Sequence, residues 1–268
     1  MTEHIPDGTG DEGPLVVLVH GSLDRAASFA RVIRRLDDVH TLAYDRHGYH
    51  RSRNELPVHT TMAGHVEDLL TVIDDRPAVV VGHSYGGDVA LGAALRPEGP
   101  GSILAVGAYE PPLPWLGSWA TRNGARPGGS PRPTDEADDP GEVAERFFRR
   151  MVGDAAWERL PEETKSARRA DGSALAAELA AIRTSEAPFD IARLSVPAVF
   201  GRGSASLPHH RDAVAWLVEH VPGSELVEIE GAGHGAHLTH PEAFARFVRA
   251  AIGRAATTDG GRDPTPAW

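Results

Sequence analysis

The sequence predicts an α/β fold: a doubly wound, mostly parallel sheet with a helical cap inserted after the strand that ends near Ala108. Two observations predict this fold. Short apolar, β-branched runs alternate along the chain with segments whose apolar residues recur every three or four positions, and such alternation is typical of a parallel sheet covered by helices on both faces. Between residues 111 and 194 the alternation stops, and helical patterns follow a stretch rich in Gly, Pro and acidic residues.

Six short apolar runs are predicted as strands, and the first of them, Leu15–Val19, is continuous and β-branched, as in a strand that is buried on both faces. The predicted strands are Leu15–Val19, Thr41–Tyr44, Ala78–Val81, Ile103–Ala108, Val196–Phe200 and Leu226–Ile229. Helices are predicted between them from the spacing of the apolar residues. They cover Ala26–Leu36, Met62–Ile73, the Ala-rich segment after Gly87 and the region of Phe244–Ile252.

The length of 268 residues suits one large α/β domain or two small domains of about 100–150 residues. We expect residues 1–110 and 195–254 to form one core domain. Residues 111–194 are expected to form a cap or lid, with a helical subdomain that has no substrate role as the alternative. Residues 1–13 and 255–268 are polar and Gly-rich, so both ends are expected to be mobile.

Composition and charge exclude several classes of protein. No apolar run approaches the roughly 20 residues of a membrane span, and the first residues are acidic where a signal peptide is basic, so a cytoplasmic location is expected. The formal net charge of −11 is unfavourable for binding nucleic acid or an anionic membrane. Because the chain has no cysteine, it has no thiolate nucleophile and no Cys-based metal site.

The strongest motif is Gly82-His83-Ser84-Tyr85-Gly86, a G-x-S-x-G between a predicted strand and a predicted helix. The chain must reverse sharply there, which places Ser84 in a strained conformation while the small glycines let the neighbouring backbone pass close by. The Ser84 hydroxyl is then exposed at the carboxyl edge of the sheet, near the positive end of a helix dipole. This pattern predicts a nucleophilic serine.

A second motif, His20-Gly21-Ser22-Leu23, directly follows the first predicted strand. Backbone N–H groups at such a strand end can point at a developing oxyanion, with one donor from this loop and one from the residue after the nucleophile. We therefore predict the N–H groups of Ser22 and Tyr85 as the oxyanion donors. Leu23 is predicted to contact the substrate.

The third motif, Gly231-Ala232-Gly233-His234-Gly235, follows the last predicted strand. A neutral imidazole there suits a base that takes the Ser84 proton and returns it to the leaving group. His237 and His240 follow at intervals of three residues, but no carboxylate or cysteine completes a metal site at suitable spacing. We expect no metal and assign His234 as the general base.

These motifs, together with the Asp45–Ser52 segment, occur in the order seen in the α/β-hydrolase superfamily. The chain resembles its small-molecule esterase, lactonase and haloperoxidase-like branches over most of residues 14–110 and 195–252. Asp45–Ser52 resembles the D-x-R-G-x-G-x-S loop of that family, with His47 and His50 as departures. The resemblance implies an α/β-hydrolase fold, a small-molecule substrate and no cofactor.

The catalytic acid departs from the family pattern. The family usually carries it shortly after the strand that corresponds to Val196–Phe200, where this chain has Ser204, which cannot supply a negative charge. Glu110, at the end of the adjacent strand, is the leading candidate, because some members of the superfamily place the acid there. Asp212 is a second candidate, and a Ser–His dyad without an acid is a third possibility.

The sequence therefore predicts a serine hydrolase that cleaves an ester, lactone or thioester of a small organic molecule through an acyl-enzyme on Ser84. One alternative keeps the same site for C–C bond hydrolysis, or for cyclisation or isomerisation of a natural product. Another is a ligand-binding homologue without activity. Trp115 and Trp119 are predicted to line the substrate cavity, with packing of the cap onto the sheet as the equal alternative. The oligomeric state is left open.

Overall fold

A seven-stranded sheet forms the centre of the computed structural model, which describes residues 1–6, 13–54, 61–96, 103–116, 139–181 and 187–259. Its strands in chain order are β1 (Thr2–His4), β2 (Leu15–Val19), β3 (Thr41–Tyr44), β4 (Ala78–His83), β5 (Ile103–Tyr109), β6 (Ala198–Gly203) and β7 (Glu225–Ile229). The spatial order is β1-β3-β2-β4-β5-β6-β7. All neighbours pair in parallel except β1, which runs antiparallel to β3 at one edge. The predicted fold class is confirmed.

Helices cover both faces of this sheet. The longer helices outside the insertion are Met62–Ile73, Tyr85–Ala94, Pro208–His220 and Pro241–Asp259, and a 3₁₀ turn Ala26–Phe29 leads into a short helix Ala30–Ile33. Leu69, Val89 and Leu217 pack on one face, and Phe29 and Phe247 pack on the other. The central strands are apolar on both sides because both sides are covered.

The strand register places the carboxyl ends of four neighbouring strands side by side. Val19 of β2 is paired with Gly82 of β4, His83 of β4 with Tyr109 of β5, and Tyr109 with Gly201 of β6. The segments that leave these four strands therefore emerge at one edge of the sheet, where ligands of open α/β sheets bind.

In the described part of the segment between β5 and β6 lie four α-helices: Pro140–Val152, Asp154–Glu158, Glu162–Ala170 and Gly172–Ala181. The first begins at Pro140, and the Asp139 carboxylate accepts from the Glu142 N–H, as in a capped helix start. The limits of the cap and of the core domain stay predictions, and Trp119 lies outside the described residues. Among the described residues, no helix is both long enough and apolar enough to cross a membrane.

Some elements differ from the sequence prediction. Thr2–His4, expected to be mobile, pairs with β3 as an edge strand, because backbone hydrogen bonds hold it without an apolar pattern. The predicted helix Ala26–Leu36 is shorter and begins as a 3₁₀ turn. The last helix continues to Asp259, and the rest of the predicted tail lies outside the described residues.

Candidate active site

Ser84 lies on the sharp turn between β4 and the helix Tyr85–Ala94. Its backbone has φ 53° and ψ −131°, a region that costs about 1–3 kcal/mol for a residue other than glycine. Two hydrogen bonds hold this turn: the Ser84 N–H donates to the Tyr109 carbonyl at 2.9 Å, and the Gly87 N–H donates to the Ser84 carbonyl at 2.6 Å. The turn therefore presents Ser84 at the carboxyl end of β4, at the N-terminus of a ten-residue helix.

The turn is packed so tightly that two glycines are required. A Cβ atom on Gly82 would lie 2.0 Å from the Gly86 carbonyl oxygen, and one on Gly86 would lie 2.2 Å from the Val19 carbonyl oxygen. A Cβ on Gly21, in the second motif, would lie 2.9 Å from the Ser84 Cβ. The loop after β2 and the serine turn are therefore in direct contact, as an oxyanion site next to a nucleophile requires.

Glu110 and His234 are brought together from neighbouring parts of the sheet edge. Glu110 directly follows β5, is fully buried and has a positive φ of 45°. Its Oε2 accepts from the His234 Nδ1 at 2.8 Å, and its Oε1 accepts from the Gly203 N–H at 2.8 Å. The Glu110 side chain therefore fixes the orientation of the imidazole, as the acid of a catalytic triad does.

Ser204, at the family's usual position for the catalytic acid, and Asp212, the second candidate, lie elsewhere in the structure. Ser204 accepts from the Gly231 N–H through its hydroxyl at 2.8 Å and donates its own N–H to the Ile229 carbonyl. It therefore fastens the loop that carries His234. Asp212 lies within the helix Pro208–His220.

Two further histidines contact the His234 segment. The His83 Nε2–H donates to the His234 carbonyl at 2.8 Å, which links the residue before Ser84 to the histidine loop. The His210 ring stacks on the His234 ring, with centroids 4.1 Å apart and planes at 14°. Burial, with the nearby His234, lowers the pKa of His210, so that it stays neutral beside the predicted base.

A buried arginine, Arg46, holds the loop after β2, which contains the predicted oxyanion donor Ser22. The Arg46 Nε–H donates to the His20 carbonyl at 2.8 Å, and its Nη2–H donates to the Gly21 carbonyl at 3.1 Å. The Arg46 N–H in turn donates to the His20 Nε2 at 2.8 Å. Ser22 follows in this loop, and Tyr85 is the first residue of the helix after Ser84.

The guanidinium of Arg46 is paired with Glu178, a carboxylate from the helix Gly172–Ala181. Both side chains are fully buried, and the Arg46 Nη1 lies 2.5 Å from the Glu178 Oε1. Burial acts to raise the pKa of Glu178, but the charge of Arg46 and the nearby His65 outweigh it and hold the pKa below its usual value. Glu178 is therefore an anion inside the protein.

The predicted substrate contacts fall in different surroundings. Leu23 is buried, has a positive φ of 53°, and packs against Val143, Ala144 and Leu175 of the inserted helices. Trp115 is half-buried against one face of the core, with its ring edge-on to Phe189 at 5.7 Å.

Two groups of described residues have the donor atoms that a metal ion requires. They are Asp24 with His83 and His237, and Glu110 with His210 and His234, and within each group the donor atoms lie within 4.8 Å of one another. Neither group is the His234, His237 and His240 set considered from the sequence. The second group shares Glu110 and His234 with the predicted acid–base pair, so a metal there would displace the proton that the base needs.

Sequence reasoning missed Glu178 and the buried pair that it forms. The only available signal was local: one carboxylate in an otherwise apolar Ala- and Leu-rich helix. The stacking of His210 and the His83 hydrogen bond had no signal, because both depend on contacts between residues far apart in the chain.

Three buried histidines should make the free energy of unfolding smaller in mild acid. Burial lowers the pKa of His20 to about 4, and it also lowers the pKa values of His83 and His210. The unfolded chain takes up these protons near pH 6.5 whereas the folded chain does not, so unfolding becomes easier as the pH falls below that value. For His20 alone, a change from about pH 7.5 to about pH 5.5 costs on the order of 1 kcal/mol.

Thermal unfolding measured at these two pH values should give a lower Tm at the lower pH. His20→Asn should reduce the difference. An equal Tm at both pH values would contradict the assignment of these histidines as neutral.

Comparison with known proteins identifies the family of the chain. The alpha/beta hydrolase family matches residues 16–247 of the chain. The polyketide synthase ThaQ of Burkholderia thailandensis is 31% identical over 254 residues, which cover 90% of this chain and 12% of that protein. The chain spans between 12% and 42% of the length of the curated relatives it matches.

Two solved structures are similar over nearly the whole chain. A hydrolase from Pseudomonas aeruginosa has a TM-score of 0.70 and 24% identity, with 91% of each chain covered. The enol-lactonase from Burkholderia xenovorans has a TM-score of 0.68 and 20% identity, with 94% of this chain and 95% of that chain covered. At these identities the likeness shows the shared fold, and the family match covers most of the sequence. The chain belongs to the alpha/beta hydrolase family.

Proposed function

We propose that the protein is a serine hydrolase that cleaves an ester, lactone or thioester of a small organic molecule. One observation carries the proposal: a serine on a strained strand-to-helix turn lies at the same sheet edge as a histidine whose Nδ1 bonds to a buried carboxylate. A binding protein needs neither a strained serine nor an oriented imidazole. The proposed roles are Ser84 as nucleophile, His234 as base and Glu110 as acid.

In the proposed reaction, the Ser84 oxygen attacks the substrate carbonyl carbon while the His234 Nε2 takes the hydroxyl proton. The Glu110 carboxylate, 2.8 Å from Nδ1, stabilises the imidazolium that forms. The N–H groups of Ser22 and Tyr85 bind the oxyanion, each contributing about 2.7–4 kcal/mol to lowering the barrier. The leaving group departs with the His234 proton, and a water molecule activated by His234 then hydrolyses the acyl-enzyme.

The class of substrate is supported by the apolar packing at the predicted oxyanion loop. Leu23 of this loop packs with Val143, Ala144 and Leu175 of the inserted helices, and an apolar cluster there suits an acyl group of a small organic molecule better than a polar polymer. The similarity to an enol-lactonase supports lactones among these substrates. The inserted helices would act as the cap, and no cofactor takes part.

A fluorophosphonate probe tests the nucleophile directly. We expect the intact mass of the protein to increase by one probe adduct, and peptide mapping to locate the adduct on Ser84. Ser84→Ala is the matched control and should take up no probe. An unchanged intact mass of the wild-type chain after long incubation would refute the proposed function.

Turnover of p-nitrophenyl acetate or butyrate separates the hydrolase from its alternatives. An esterase should turn over both esters at a rate that Ser84→Ala abolishes. A ligand-binding homologue would give no product. A hydrolase of C–C bonds would be labelled by the probe but would hydrolyse these esters hardly at all. Either result would contradict ester cleavage as the reaction.

A further inference from the structure

The buried carboxylate of Glu178 contacts the loop that carries a predicted oxyanion donor. Its Oε2 accepts from the Ser22 hydroxyl at 2.7 Å and from the Tyr49 hydroxyl at 2.7 Å. Its Oε1 pairs with Arg46 and lies 3.2 Å from the His65 Nε2. The Glu178 side chain is fully buried and Ser22 is half-buried, so these bonds are largely shielded from water.

Arg46 carries the effect of Glu178 to the rest of the same loop. The guanidinium that Glu178 neutralises also donates to the carbonyls of His20 and Gly21. Glu178 therefore holds Ser22 directly and holds the two preceding residues through Arg46. A shift of this loop would move the Ser22 N–H away from the position that an oxyanion takes, and an error of about 1 Å in such a position can cost about 100-fold in rate.

Glu178 is also the point at which the inserted helices and this loop meet. It lies on the helix Gly172–Ala181, in the same insertion as Leu175, which packs on Leu23. The Arg168 Nη1–H from the preceding helix donates to the Leu23 carbonyl at 2.6 Å. Docking of these helices and the position of the loop residues 20–23 are thus joined by one apolar and several polar contacts.

We propose that Glu178 is a positioning residue, which fixes the oxyanion loop through Ser22 and Arg46 and so couples docking of the inserted helices to activity. The inference rests on the proposed hydrolase function. Glu178 itself does not touch the reacting atoms: it acts through the Ser22 hydroxyl and the Arg46 guanidinium. The proposed role of Glu178 predicts that turnover requires the Ser22 hydroxyl, because this hydroxyl holds the loop. The oxyanion donor itself is predicted to be the Ser22 backbone N–H.

The test compares two variants that each remove one hydrogen bond from a serine hydroxyl to a carboxylate. Ser22→Ala keeps the backbone N–H and the buried ion pair but removes the direct bond from the loop to Glu178. Ser28→Ala is the matched control, because it removes the 2.9 Å bond from the Ser28 hydroxyl to Asp24, outside residues 20–23. We expect Ser22→Ala to lower kcat for p-nitrophenyl acetate about 10- to 100-fold with KM changed less than about twofold. Ser28→Ala should keep kcat within about threefold.

Hydrogen exchange gives a readout that does not depend on activity. The amides of residues 20–23 should exchange faster in Ser22→Ala than in wild type or in Ser28→Ala. Glu178→Gln should show the same fall in kcat, together with a lower Tm, because it leaves the buried Arg46 without a counter-charge. Adding Ser22→Ala to Glu178→Gln should lower kcat by a smaller factor than Ser22→Ala does in the wild type, because both changes weaken the contact between Ser22 and Glu178.

Equal kcat values in Ser22→Ala and Ser28→Ala would overturn the positioning role. Wild type that neither labels at Ser84 nor hydrolyses the ester would instead refute the proposed function. In that case the exchange experiment still decides whether Glu178 holds the loop, and unchanged exchange of residues 20–23 in Ser22→Ala would show that it does not.

Discussion

Glu110→Gln is expected to lower kcat for p-nitrophenyl acetate by about 10⁴-fold while the protein stays folded. The amide has nearly the same shape as the carboxylate, and its oxygen can still accept from the Gly203 N–H at the 2.8 Å position. Its NH₂ group then faces the His234 Nδ1, which must give up its proton. The proton moves to Nε2, and the imidazole can no longer accept a proton from Ser84.

The opposite orientation of the amide in Glu110→Gln does not restore activity, because it creates an unfavourable contact at Gly203. With its oxygen toward His234, the NH₂ group points at the Gly203 N–H, so two donors meet at a buried site. Steady-state kinetics should show the loss in kcat, and circular dichroism should show an unchanged fold. Asp212→Asn is the discriminating control, expected to stay within about twofold of wild type. Wild-type kcat in Glu110→Gln would exclude Glu110 as the acid.

Gly86→Ala is expected to prevent folding. The added Cβ would lie 2.2 Å from the Val19 carbonyl oxygen and 2.6 Å from the His20 carbonyl oxygen. Both atoms belong to the backbone of the central strand β2 and the loop after it, so they cannot rotate away as a side chain would. We expect a loss of more than about 4 kcal/mol in the free energy of unfolding, which few single substitutions reach.

Gly253→Ala provides the matched control for this prediction. Gly253 is an exposed residue of the last helix, and a Cβ there would meet nothing within 4 Å. The substitution should stabilise the protein by about 0.5–1 kcal/mol, as alanine for glycine does inside a helix. Denaturant unfolding and soluble yield measure both effects. A Gly86→Ala variant that unfolds at the wild-type denaturant concentration would show that the serine turn has more space than described.

The central strands and the serine turn were predictable because their signals are local. Continuous runs such as Leu15–Val19 are apolar since both faces are covered, and the glycines around Ser84 are needed within five residues of it. For the catalytic acid, the sequence left three alternatives: Glu110, Asp212 or no acid. The choice among them depends on which strand ends are neighbours in the sheet. The strand register brings Tyr109 beside Gly201, and this places Glu110 next to the Gly203 N–H.

The Glu178 contacts could not be predicted from the sequence. Ser22 and Glu178 are 156 residues apart, and nothing in either local pattern indicates the other. The first strand, β1, was missed for a different reason: its three residues have no apolar pattern, and pairing with β3 alone defines it. Prediction from sequence thus failed where long-range polar pairing, rather than burial of apolar runs, determines the structure.

The two outer strands of the sheet bear on how copies of the protein behave in concentrated solution. An uncovered strand offers unpaired backbone groups to which a strand of a second molecule can add, the first step of β-aggregation. Here β1 has only three residues, which gives a short template, and β7 carries Glu225 and Glu228 on its exposed positions. Pairing of β7 with the β7 of a second molecule would bring two Glu225 side chains to the same contact, and their like charges disfavour growth of the sheet from one molecule into the next.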